Sequence, residues 1–75
     1  MAEIDRPTVP AAVPMLLIER CRDPGMWYAG MVGELVQNLG MFPDGDWRSR
    51  EPYGYINSVK AGDARPVVVT IHVAQ

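Results

Sequence analysis

The residues best able to do chemistry in this chain are aromatic and basic. Trp27, Tyr28, Trp47, Arg48, Arg50, Tyr53 and Tyr55 bring together the three residue types that dominate interaction hot spots. The same types stack on bases and bind phosphates. Catalytic chemistry has less to work with. A nucleophile needs a base and an orienting group, and the chain holds one cysteine, Cys21, and one histidine, His72. Cys21 falls on an expected strand, where a thiol is usually inert packing. Glu34, Glu51 and Asp46 show no spacing that would bring two carboxylates into one cleft for acid–base work. Structural zinc takes about four ligands, more than one Cys and one His supply. Asp44-Gly45-Asp46 resembles a fragment of a calcium loop but lacks the repeating ligands and the distal Glu, so turn chemistry accounts for it better. Gly30, Gly33 and Gly40 match no phosphate-binding loop. The expectation is a non-enzymatic protein with no metal and no cofactor.

Trp47, Arg48, Arg50, Tyr53 and Tyr28 are the expected binding residues. On a strand over 47–51, Arg48 and Arg50 share one face and Trp47, Ser49 and Glu51 the other. Two arginines on one face repel unless an acid lies close. That acid is Glu51 or Asp63 of the same chain, or it belongs to a partner. The competing reading puts Trp27, Trp47 and Tyr55 in the core and leaves the arginines solvated.

The elements that must position these residues follow from turn chemistry and alternation. With 75 residues the chain makes one domain. Hydrophobic residues at 48% are enough for a globular core, although a domain of this size buries only a small one. Residues 1–14 carry Pro7, Pro10 and Pro14 and are expected to form a disordered, extended arm. A first strand is expected over 15–22, then a turn at Asp23-Pro24-Gly25. The stretch after it reads in two ways. Trp27, Met31, Leu35 and Leu39 recur every four residues, as in a helix over 24–39. Gly30 and Gly33 each weaken such a helix by about 1 kcal/mol, which favours a helical turn over 26–30 followed by a strand over 33–39. Strands over 47–51, 54–59 and 65–73 complete the pattern, with a helical turn at 60–63. The fold class is all-β over 15–75, with an α+β chain as the alternative.

Three groups of residues carry a resemblance. Trp27-Tyr28 with Val32-Gly33-Glu34, the run Arg50-Glu51-Pro52-Tyr53-Gly54-Tyr55-Ile56-Asn57, and Val59 with Asp63-Ala64 and Val67 resemble the second-strand entry, the central hairpin and the closing strand of small SH3-like β-barrel proteins of bacteria and phages. The resemblance spans 15–69. It implies a small barrel of phage-derived or accessory type, and no particular activity. Gly54-Tyr55-Ile56-Asn57-Ser58 is also similar to the glycine–aromatic strand of peptide-binding SH3 domains. The acidic loop that reads proline-rich ligands has no counterpart here, so that recognition is not implied.

The expected function is therefore a small protein-binding module. A nucleic-acid-associated SH3- or KOW-like barrel using Arg48, Arg50 and Tyr53 is the alternative, and a net charge of −2 disfavours it. A lone cysteine, an acidic start without a secretory pattern and the lack of a 20-residue apolar run point to a cytoplasmic protein without membrane contact. The uncharged segment 67–75 is expected to carry Thr70 to Val73 past the body with unpaired backbone groups. That edge is expected to form a homodimer, unless the strand pairs within its own chain against 15–18.

Overall fold

The computed structural model of the chain describes residues 7–74. They form five strands: β1 (Thr8–Ile18), β2 (Leu35–Gln37), β3 (Trp47–Arg50), β4 (Ile56–Val59) and β5 (Ala64–Ala74). A single 3-10 turn, Ala61–Asp63, joins β4 to β5. The chain is all-β, and the helix over 24–39 is absent. Gly30 and Gly33 lie in that stretch, where a succession of turns runs instead. Met26 N–H donates to Asp23 O, Ala29 N–H to Met26 O and Met31 N–H to Tyr28 O. The chain then enters β2, so the split of a turn followed by a strand is the arrangement observed.

The strands build two sheets, one in the order β2-β1-β5 and one of β3 with β4, all antiparallel. Beyond β2 the chain bends from one sheet to the other. Leu39 N–H donates to Arg48 O, and Arg48 N–H donates to Gly40 O. The sheets are not closed into a barrel, because the outer strands of both, β2 and β5 in one and β3 and β4 in the other, each keep one edge without a strand partner among the described residues. Closure requires every strand edge to be paired.

The core lies between the sheets. Strand alternation places Leu16 and Ile18 on the inner face of β1, beside Val36 of β2 and Ala64 of β5. These four, with Tyr28 and Val59, are the buried apolar residues. Trp27, Trp47, Met26, Met31 and Cys21 pack around them.

β1 is longer than its sequence suggests. Residues 8–14, expected as a disordered arm, pair in unbroken register with β5, from Thr8 opposite Ala74 to Pro14 opposite Val68. Residues 1–6 of that arm lie outside the described residues. The prolines do not break the strand because of where their nitrogens point. Ile18 donates to Glu34 O and accepts from Gly33 N–H, on the β2 side. Glu19 N–H donates to Asp63 O, on the β5 side. In an antiparallel strand these directions alternate, so Pro10 and Pro14 face away from β5, where no ladder hydrogen bond is required. A proline on an outward-facing edge position is tolerated. The same alternation turns Pro66 away from β1.

The result is a two-stranded ribbon that leaves the body. The molecule measures 54 × 25 × 21 Å, and its long axis exceeds what the packed body needs. The β5 segment expected to run unpaired past the body thus has a partner in its own chain, and the pairing reaches well beyond 15–18.

Candidate functional site

A buried polar knot holds the turns against the sheets. Tyr28 and Asp63 are both fully buried. The Tyr28 hydroxyl donates to Asp63 Oδ2 at 2.7 Å, and Arg22 Nε donates to Asp63 Oδ1 at 2.9 Å. The Tyr28 oxygen accepts from Lys60 N–H at 3.1 Å. Asp63 O accepts from the N–H groups of Glu19 and Arg20, and the Arg20 guanidinium donates to Gly62 O. This knot ties two distant segments, 19–28 and 60–63, the second of which leads directly into β5. Trp27 adds an edge-on contact with Tyr28, and its indole N–H donates to Ser58 O at 2.8 Å.

Burial alone pushes the Asp63 carboxyl upward, but the donors from Tyr28 and Arg22 outweigh it and hold the group below its ordinary value. Burial and the bond to Asp63 push the Tyr28 phenol upward. Both shifts make stability depend on pH. The unfolded Asp63 takes up a proton first as pH falls, so its contribution is intact above pH about 4 and is lost as pH drops through the folded value. The unfolded Tyr28 loses its proton first as pH rises, so its contribution is intact below pH about 10 and is lost above it. Chemical denaturation across pH is expected to show a plateau that falls at both ends. In Tyr28→Phe the alkaline fall should shrink, and an unchanged alkaline limb in that variant would contradict the assignment.

Tyr28 is therefore a structural residue. Expected at the binding face, it has no exposed surface, because its hydroxyl is needed by Asp63 and Lys60. Trp47 is half-buried and packs against the core. Arg48 is half-buried as well, with its guanidinium carbon 4.7 Å from the centre of the Phe42 ring, a cation–π contact. Its Nε and the buried Ser49 hydroxyl lack a hydrogen-bond partner among the described residues. The acids weighed against the arginines are engaged elsewhere: Asp63 with Arg22, and Glu51 Oε2 with the Asn57 amide at 2.9 Å.

Arg50 and Tyr53 do reach the surface, at the tip of the β3–β4 hairpin. Arg50 stands opposite Ile56 at the end of the ladder. Its Nη1 donates to Gly54 O at 2.7 Å across the loop. Glu51 N–H donates to Tyr55 O and Gly54 N–H to Glu51 O, both at 2.8 Å. Gly54 adopts φ 98°, a left-handed conformation that a side chain would strain. The tip is thus closed on itself, with its side chains turned out. Tyr53 is 89% exposed and Tyr55 71%, with Ile56 at 45% beside them.

Grooves flank this tip. One is lined by Met15, Met31, Leu35, Arg50, Pro52 and Gly54, among others, and the other by Phe42, Pro43, Asp44, Ile56, Asn57 and Ser58. Tyr55 belongs to the aromatic and basic group of the sequence but not to the expected binding residues, and Ile56 belongs to neither; both stand exposed at the tip. The glycine beside Tyr55 and the exposed hairpin end were the signals available for both.

The other chemical candidates fall apart in space. Cys21 follows the inner end of β1, where its thiol contacts Asp23 O, and His72 lies far out on the ribbon opposite Pro10. Eight residues of extended strand separate these ends, about 25 Å, so the two side chains cannot form a nucleophile–base pair. In Asp44-Gly45-Asp46, Asp44 Oδ1 accepts from Asp46 N–H and Gly45 takes φ 93°. Asp46 Oδ1 accepts from Ala61 N–H. These carboxylates organise a turn. No family model, curated protein or solved structure matches the chain.

Proposed function

We propose that the chain is a small, non-enzymatic protein-binding module that engages its partner through the β3–β4 hairpin tip. The observation that carries this reading is the pair of tyrosines, Tyr53 and Tyr55, held out at 89% and 71% exposure on a loop closed by its own hydrogen bonds. Large aromatics presented without mobility lose little entropy on binding. Arg50 and Ile56 stand next to them, and the grooves on either side suit side chains of a protein ligand. Trp47 and Arg48 support the hairpin from below, and Arg50 and Tyr53 make contact. The same proposal extends to an SH3-like fold of bacterial or phage type. In its support, five strands follow in the expected order, with a helical turn before the last, although the outer edges of both sheets stay open. A cytoplasmic setting belongs to this reading through the sequence arguments given above. No helix among the described residues is long and apolar enough to span a membrane.

The test is selection of binding peptides from a random display library on the intact chain. Selected peptides are then titrated against wild type and the Tyr53→Ala/Tyr55→Ala double variant. Loss of two exposed anchors is expected to weaken binding at least about tenfold, with the melting temperature unchanged. Equal affinity for both proteins would move the site away from the hairpin. An oligonucleotide bound with a steep salt dependence, by a face that includes Arg50, would instead favour the nucleic-acid reading.

A further inference from the structure

The two edges of the ribbon are not equivalent. On the outer edge of β1, the alternation described above leaves Thr8, Pro10, Ala12 and Pro14 pointing outward, beyond the reach of β2, which covers only Met15 to Leu17. Two of these four residues have no N–H. The edge is blunted against strand addition in the way natural sheets manage exposed edges. On the outer edge of β5 the outward residues are Pro66, Val68, Thr70, His72 and Ala74. Only Pro66, next to the body, lacks a donor. From Val68 to Ala74 every outward N–H and C=O is present. No strand covers this edge among the described residues. The segment Val67–Ala74 contains no Asp, Glu, Lys or Arg, and it is rich in β-branched side chains. An isolated two-stranded ribbon is marginal in water at best, so this edge is the place where a further strand would stabilise it.

We infer that the occupant of the β5 edge is the β5 strand of a second copy, antiparallel and related by a two-fold axis near Ile71. The register follows from Pro66. Centred on Ile71, the pairing sets Val68 against Ala74 and Thr70 against His72 of the other copy, and it leaves Pro66 outside the ladder. All outward groups from Val68 to Ala74 are then used, in about eight backbone hydrogen bonds. On one face of the joint, Val69 meets Val73 and Ile71 meets its own copy, which are favourable β-branched pairs. That face continues the aliphatic surface of Val9, Ala11, Val13, Val67 and Val69. Val9, Ile71 and Val73 are 41–45% exposed in the single chain. Self-pairing juxtaposes no like charges. Head-to-tail pairing of β5 onto the β1 edge of the next copy would give an open filament, and Pro10 and Pro14 deny it donors. The product is a closed dimer with one continuous sheet, β2-β1-β5-β5-β1-β2. It is independent of the hairpin and leaves Tyr53 and Tyr55 free in both copies.

The test exploits the alternation. Thr70→Pro removes an N–H that points away from β1, so the ladder within the chain should survive while the joint between copies does not. Sedimentation equilibrium across the micromolar to millimolar range is expected to show a monomer–dimer equilibrium for wild type. In Thr70→Pro the dissociation constant should rise at least about tenfold, with the near-ultraviolet circular dichroism of the folded chain retained. Amide exchange of the wild type gives an answer that needs no variant. The Val69 and Ile71 amides should be slow at every concentration, and the Val68, Thr70 and His72 amides only where the dimer is populated. A monomer up to millimolar concentration would overturn the proposal, as would a dimer in which the amides of 68, 70 and 72 still exchange rapidly. An assembly that grows beyond two copies would overturn the closed joint.

Discussion

Asp63→Ala is expected to destabilise the fold by about 3 kcal/mol, the larger part of it from groups left buried without partners. The Tyr28 hydroxyl is fully buried and has Asp63 as its acceptor. Once the carboxylate is gone, it must stay unpaired or drag the turn at 26–31 out of place. Arg22 contributes less. Its side chain is 62% exposed and can return to water, so its share of the ion pair is discounted accordingly. The Asp63 backbone also accepts from Glu19 and Arg20 at the junction of the 3-10 turn with β5, and loosening there spreads to the ladder. A domain of this size has a total stability of about 4–11 kcal/mol, so the variant should lose a large fraction of it. Tyr28→Phe removes one hydroxyl and leaves an acceptor on Asp63 without its donor. It should cost about 1–2 kcal/mol. In the double variant the two losses should not add, because both act on one bond. Urea denaturation with unchanged slope and a shifted midpoint is the measurement. A shift of less than about 1 kcal/mol in Asp63→Ala would mean that the knot merely fills space.

The same knot shows what could be read from the chain beforehand. Strand alternation and turn residues foretold β2 to β5 to within a few positions, because each has a local cause: Asp23-Pro24-Gly25, the Asp44-Gly45-Asp46 turn, the glycine at 54 and the β-branched run at the end. The pairing of Tyr28 with Asp63 had no such cause. It joins residues 35 positions apart, and neither side chain reveals in sequence that it will be buried. Tyr28 therefore read as a surface aromatic, while Tyr55, which the competing reading puts in the core, stands exposed on the hairpin. The proline-rich start misled for a different reason. Proline removes a donor, which matters only on the side of the strand that is paired, and that side is decided by β5, more than fifty residues away. The barrel expectation failed at the same long-range step. Whether strand edges meet depends on how far β1 and β5 run together, which local pattern does not contain.

Leu16→Ala is expected to cost about 2–5 kcal/mol, which would leave the chain close to unfolding. Leu16 lies near the inner end of the central strand, opposite Val36 on one side and Pro66 on the other, and has no exposed surface. Only six apolar residues are buried in the described chain, so deleting most of one side chain removes a large share of the core. β1 and β5 are joined on both sides of that position, so the backbone cannot readily close in to fill the cavity. The contrasting variant lies on the same ladder. Ile71→Ala strips a similar amount of side chain from β5 where the ribbon is 45% exposed, and should cost less than about 1 kcal/mol in the single chain. Thermal and urea unfolding of both variants, at concentrations low enough to keep the chain monomeric, tests the comparison. Equal losses would show that the ribbon and the body fold as one packed unit. Near-zero loss for Leu16→Ala would place the core somewhere other than between the two sheets.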